Sequence, residues 1–221
     1  FTLTTVVVNF SMAFLLVAST IWVTDNGFGL INWLNVPLWA QVIFGLMLMD
    51  LLGAYLAHWV QHNVKWMWKF HIVHHTDQKV DTTTANRHHP FESIIRFTFT
   101  LIGIFISGAP IGLVLMYQSL SVILSQFNHA NIQISEKVDK ALSYIIVSPN
   151  MHKVHHHFEL PYTDSNYGNI FSLWDRLFGT YMELSKNEII YGIDTDVDEI
   201  QNSKFISLIE RPFKKWFNHF N

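Results

Sequence analysis

The chain has 221 residues, half of them hydrophobic and only 14% charged, with a net charge of −3 when histidine is counted neutral. That balance is too apolar for an ordinary soluble domain and fits one membrane-embedded unit with a polar cap, while the absence of a basic stripe interleaved with aromatics excludes a nucleic-acid binder. Cysteine is absent, so disulfides, thiolate zinc sites and iron–sulfur ligation are excluded, and any metal must be held by nitrogen or oxygen.

Residues 3–23 run apolar, interrupted by Asn9 and several Ser/Thr, and match the ~20 residues needed to span a bilayer. No basic stretch or small-residue cleavage site marks them as a signal peptide, so a transmembrane helix is expected. Asp25-Asn26-Gly27-Phe28-Gly29 reads as a turn and Asn35-Val36-Pro37 as a second breaker. Pro37 suits the first turn of a helix running to about His62. Residues 36–57 are apolar apart from Gln41 and Asp50, so residues 1–62 are expected to form an antiparallel transmembrane hairpin.

No Lys or Arg precedes Lys65, and all 14 lie from there onward. The positive-inside rule then makes 63–92 a cytoplasmic, histidine-rich segment and 129–221 a cytoplasmic cap. Residues 93–128 form a second membrane hairpin broken at Ser107-Gly108-Ala109-Pro110, with arms short enough to be tilted or re-entrant. In the cap, Ser148-Pro149 starts a helix and Asn166-Tyr167-Gly168-Asn169 is turn chemistry. Residues 194–199 read as a solvated acidic loop. The tail from Ser203, through Phe213, Trp216, Phe217 and Phe220 with Lys214 and Lys215, reads either as a basic, aromatic interfacial segment or as a segment packed on the cap. The expected class is all-α: two antiparallel membrane hairpins with a helical cap holding a histidine-rich dimetal site, multi-pass, its site on the cytoplasmic face of a bacterial inner membrane or endoplasmic reticulum.

Histidine is the anomalous residue. There are 13, and all but His219 fall between His58 and His157. His58 and His62 are spaced i, i+4; His71, His74 and His75, and again His152, His155 and His156, are spaced i, i+3, i+4. On helices those spacings put each group on one face. Burying so many imidazoles without partners costs on the order of a kcal/mol or more each, and coordination reverses that cost. Imidazole suits zinc, copper, iron and nickel, and eight such groups exceed what one ion accepts, so two metals are expected. His88, His157 and His219 read as ordinary histidines.

The series HxxxH, HxxHH, a single His beside Asn, then HxxHH resembles the fatty acid hydroxylase/sterol desaturase superfamily of membrane-bound di-iron oxygenases. Other stretches agree: Asp50 eight residues before His58; Arg87-His88-His89-Pro90-Phe91-Glu92; Asn128-His129-Ala130-Asn131; Asn166-Tyr167-Gly168; and Leu173-Trp174-Asp175-Arg176 with Phe178-Gly179-Thr180. The resemblance covers about residues 45–182. It implies two irons, replaceable by zinc, shared by nine histidines: His58, His71, His74 and one or both of His152 and His155 on one; His62, His75, His129 and His156 on the other. Some members carry a further histidine where this chain has Ser125, which implies an open position on the second metal. Asp50 is expected to hydrogen-bond a ligand imidazole, with Arg87 or Arg96 nearby, the alternative being a polar helix-packing contact, and Arg87, His89, Glu92 and Asn131 to line the substrate or support the ligands.

The implied activity is dioxygen-dependent hydroxylation or desaturation of an unactivated C–H position in a sterol, fatty acyl, sphingolipid or ether lipid. No G-x-G-x-x-G fingerprint is present, so electrons are expected from a separate small redox protein and NAD(P)H reductase. The alternative is a histidine-rich membrane metal-binding or transport protein without oxidase activity. Transport sites sit near the bilayer midplane, whereas these histidines are expected at the membrane end.

Overall fold

The computed structural model describes residues 1–34, 36–194 and 198–214; Lys215, Trp216, Phe217, His219 and Phe220 of the tail, and 195–197 of the acidic loop, lie outside the described residues. Among the described residues the regular structure is helical, with two isolated bridges, Ile146 to Phe171 and His157 to Tyr191. Helix α1 spans Thr2–Asp25, α2 Leu38–Asn63, α3 Lys65–His75, α4 Pro90–Ser107 and α5 Ile111–His129. The cap holds α6 (Glu136–Leu142), α7 (Pro149–His155) and α8 (Leu173–Leu177).

Helices α1, α2, α4 and α5 are each long and apolar enough to cross a membrane. Most of α1 leaves its apolar side chains uncovered, Phe10 to 82%. That surface is unfavourable in water and costs nothing against lipid tails. At 1.5 Å per residue α4 and α5 reach about 27–28 Å, close to the ~30 Å hydrocarbon thickness, so the arms of the second hairpin are as able to span as those of the first. Their shared core includes Leu16, Val23, Ile31, Met49, Ile104, Leu113 and Val114.

The two hairpins meet at their turns. Gly29 (φ 98°) and Gly108 (φ 73°) adopt left-handed backbone, and a Cβ on Gly29 would lie 2.3 Å from the Gly108 nitrogen, so no side chain fits there. Asn32 Nδ2 donates to the Gly108 carbonyl at 3.1 Å. The opposite end of the set carries His58, His62, Glu92 and His129.

Two starts are built as their residues dictate. Ser148 Oγ caps α7 by accepting from Met151 N–H, with Pro149 in the first turn. His89 caps α4 in the same way, its Nδ1 accepting from Phe91 N–H at 3.2 Å, ahead of Pro90. The described part of the tail folds back on α3 and α4: the Phe70 ring meets Phe91 and Phe213, and Leu208 is buried.

Candidate metal centre

The α2 helix is not regular. Leu51–Leu56 forms a π-helical segment immediately before the first histidines. Such segments occur mostly as single-turn bulges within α-helices and are frequent at functional sites. Asp50 and His58 both turn toward residues 167–174, His58 meeting the Tyr167 carbonyl. Asp50 is buried and accepts from Ile170 N–H (3.2 Å), Phe171 N–H (3.0 Å) and Trp174 Nε1–H (3.0 Å). The expected bond from Asp50 to a ligand imidazole is replaced by a tie to the segment leading into α8.

Beyond the π segment, His58 and His62 meet the histidines of α3 and α7. Nine imidazole nitrogens converge in two buried groups, within each of which all lie inside 4.8 Å of one another: His58, His62, His71, His75 and His155; and His74, His129, His152 and His156. All nine sequence-predicted ligands are in these groups, and their division differs from the one expected. Each i, i+4 pair (58/62, 71/75, 152/156) serves one group, while the i+3 member of each triplet, His74 or His155, crosses to the other. Side chains four apart stack on one helix face and the i+3 residue lies to the other side of it, which is why the pairs stay together.

The Nε2 nitrogens face each other at close range. His58 Nε2 and His71 Nε2 are 3.0 Å apart and His71 and His75 Nε2 3.3 Å; in the second group His129 Nε2 lies 3.2, 3.0 and 3.2 Å from those of His74, His152 and His156. With metal–nitrogen bonds of about 2.0–2.1 Å, adjacent ligands on one ion fall roughly 2.9–3.4 Å apart. The spacing fits two shared ions.

The other ring nitrogen explains why Nε2 is available. Nδ1–H donates from His58 to the Tyr167 carbonyl (2.9 Å), from His74 to the Thr84 carbonyl (3.0 Å), from His129 to the Ser125 carbonyl (2.8 Å) and from His155 to the Ser165 carbonyl (2.7 Å). His62 and His71 use carboxylates, Asp164 at 2.9 Å and Glu92 at 2.8 Å. Such partners fix the tautomer and raise ligand basicity. Burial pushes His71 down to about 4 despite the opposing pull of Glu92, and pushes His74, His75, His152, His155 and His156 well below the usual imidazole range. Neutral imidazoles are the form metals take.

The remaining candidates separate. Glu92 is fully buried and supports His71; its Oε1 also accepts from His88 Nδ1 at 2.7 Å. Arg87 braces the end of α3 through the Val73 carbonyl and Thr76, and bonds the Asn202 carbonyl. His89 Nε2–H donates to the Ile209 carbonyl (3.2 Å), tying down the tail. Asn131 is exposed just past α5, outside both groups. Asn128 instead reaches Asn169, 3.3 Å from its side-chain oxygen.

The sequence matches the fatty acid hydroxylase family over residues 42–180. The chain belongs to that family. It is 27% identical over 145 residues to the ornithine lipid hydroxylase OlsE of Rhizobium tropici, which covers 66% of this chain and 43% of that protein. It is 25% identical over 168 residues to the human alkylglycerol monooxygenase (76% of this chain, 34% of that one) and 30% over 146 residues to the Danio rerio alkylglycerol monooxygenase (64% and 30%). The chain thus spans less than half the length of these relatives. No solved structure matches.

Several residues of this fatty acid hydroxylase site escape sequence reasoning. His88 reads as an ordinary histidine, yet its ring stacks on His74 at 5.0 Å and shares Glu92 with His71. Thr84, Ser125, Ser165 and Tyr167 act through carbonyls, which every residue has, so no residue type announces them. Asp164, beside the Asn166-Tyr167-Gly168 signature, had a visible cue in its acidity.

Proposed function

We propose that this chain is the membrane-embedded core of a dioxygen-dependent lipid oxygenase holding two irons on nine histidines. One observation carries the reading: two buried sets of neutral imidazoles converge at one end of helices that are able to span a bilayer. When bound, the irons would supply dioxygen activation and oxidation of an unactivated C–H bond. His58, His62, His71, His75 and His155 would hold one ion; His74, His129, His152 and His156 the other, with fewer nitrogens and an open position near Ser125. Glu92, Asp164 and the four carbonyls hold the Nδ1 protons of six of the nine. The family relatives named for ornithine lipid and alkylglycerol support a lipid bearing a polar head as substrate, and hydroxylation as the outcome.

The charge distribution supports a cytoplasmic site, with electrons delivered to the cap by a separate redox protein drawing on NAD(P)H. A transport role fits less well, because the histidines sit at helix ends and not at the middle of the spans.

The reading is tested on protein purified anaerobically. Metal analysis is expected to give about two irons per chain, with zinc as the replacement in aerobic preparations. Lipidomics of expressing membranes should show a gain of one oxygen. His155→Ala should lower the metal ratio and abolish the product while the protein stays membrane-bound; unchanged product would remove the five-histidine group from the mechanism.

A further inference from the structure

Between α1, α4 and α5, at the histidine end, lies a cleft of about 160 Å³. That is room for several waters or for a polar head-group fragment. Its walls are polar although the helices are apolar: Asn9 from α1, Ser93 and Arg96 from α4, Gln118 and Ser125 from α5. Ser93, Arg96 and Thr100 are spaced i, i+3, i+7 and form one stripe of α4 along the cleft.

Two of these groups lack the partners they need. Arg96 is half-buried in a membrane-spanning helix, where a guanidinium is expensive and marks function by default. Among the described residues no carboxylate pairs with it, and Glu92, one turn before it, is committed to His71 and His88. Ser93 Oγ is buried, lines the cleft and has no hydrogen-bond partner.

The inner wall touches the four-histidine group. His88, stacked on His74, and Ser125, whose carbonyl holds His129, both line it.

We propose that this cleft is a subsite for the anionic head of a membrane lipid. Arg96 supplies the counter-charge and Ser93 a hydrogen bond, and the head group sits beside His88 and Ser125, the neighbours of the four-histidine group. A guanidinium grips a phosphate or carboxylate through paired N–H bonds. The role as a substrate site rests on the lipid-oxygenase reading; the binding of an anionic lipid does not.

The full chain in detergent is titrated with dioctanoyl phosphatidic acid, dioctanoylglycerol and inorganic phosphate, with bound lipid read by native mass spectrometry. Phosphatidic acid is expected to bind at least about tenfold more tightly than the diacylglycerol, with that preference lost in Arg96→Gln and kept in Arg96→Lys. Ser93→Leu, which fills the cleft, should weaken phosphatidic acid binding and serves if Arg96→Gln does not fold. Equal binding of the two lipids to the wild type, or an undiminished preference in Arg96→Gln, overturns the proposal. Inorganic phosphate displacing phosphatidic acid at equal concentration also overturns it, since the site would then be for a free anion. Metal content and lipid oxidation are measured on the same preparations. A head-group preference with no oxidation leaves the subsite standing and removes the oxygenase reading, whereas oxidation with no preference removes only the subsite.

Discussion

Two buried carboxylates, 42 residues apart in the sequence, do different work. Glu92 accepts one N–H each from His71 and His88, so a single oxygen positions a candidate ligand and the ring stacked on another. Removing its charge in Glu92→Gln should weaken metal retention about 10–100-fold, read as faster loss to a chelator at unchanged helical content; unaltered retention would reduce Glu92 to a packing contact. Asp50 touches no imidazole through hydrogen bonds. Its oxygens take three N–H groups from Ile170, Phe171 and Trp174, and an amide in its place would turn a donor toward a donor. Asp50→Asn should therefore cost about 1–3 kcal/mol of stability with the metal ratio preserved, and a lowered ratio at full thermal stability would restore the ligand-supporting role. From sequence the two look alike, an acid near histidines in an apolar setting. What separates them is the return of residues 170–174 onto Asp50, which no local pattern announces.

Among the elements, the stretch from Asn166 to α8 is the hinge pin of the five-histidine group. The Tyr167 carbonyl holds His58, while Tyr167 and Gly168 N–H donate to Asp175, which also accepts from Thr180. A Cβ on Gly168 would lie 2.8 Å from Asp175 Oδ2 and 2.9 Å from Val147 Cγ2. Gly168→Ala should then cost about 1–3 kcal/mol and deplete the metal held by His58 and its partners, seen as a fall in the metal-to-protein ratio; full metal loading would show that the turn relaxes without moving Tyr167. The helices and their histidine faces were legible because length, apolarity and 3.6-residue spacing are local properties. So were eight of the nine candidate ligands, while His129 stood out only through the resemblance to the family. Which histidine joins which group was not, because His74 and His155 cross over only once α3 and α7 are packed against α2 and α5. Nor were the carbonyl partners, which depend on where the chain between α7 and α8 returns.

At the scale of the whole molecule, the concentration of neutral imidazoles makes the fold without metal sensitive to acid. An unfolded histidine takes up a proton near pH 6.5, while in the fold burial holds His71 near 4 and His74, His75, His152, His155 and His156 well below 6.5. Between those limits the unfolded chain binds more protons, so stability falls as pH falls, by up to about 1.4 kcal/mol per pH unit for each histidine. Asp175 acts in the opposite sense. Burial pushes it up to about 6 against the hydrogen bonds from Thr180, Gly168 and Tyr167, so below pH 6 the fold holds its proton more readily than the unfolded chain does. One carboxyl is set against six imidazoles, and the histidines win. The thermal midpoint of metal-stripped protein in detergent should drop between pH 7 and pH 5 more steeply than any one histidine allows, while reloaded protein holds its midpoint until protons compete for Nε2. A flat profile after stripping would mean that the imidazoles separate and hydrate once the ions leave, and that metal, more than packing, assembles the centre.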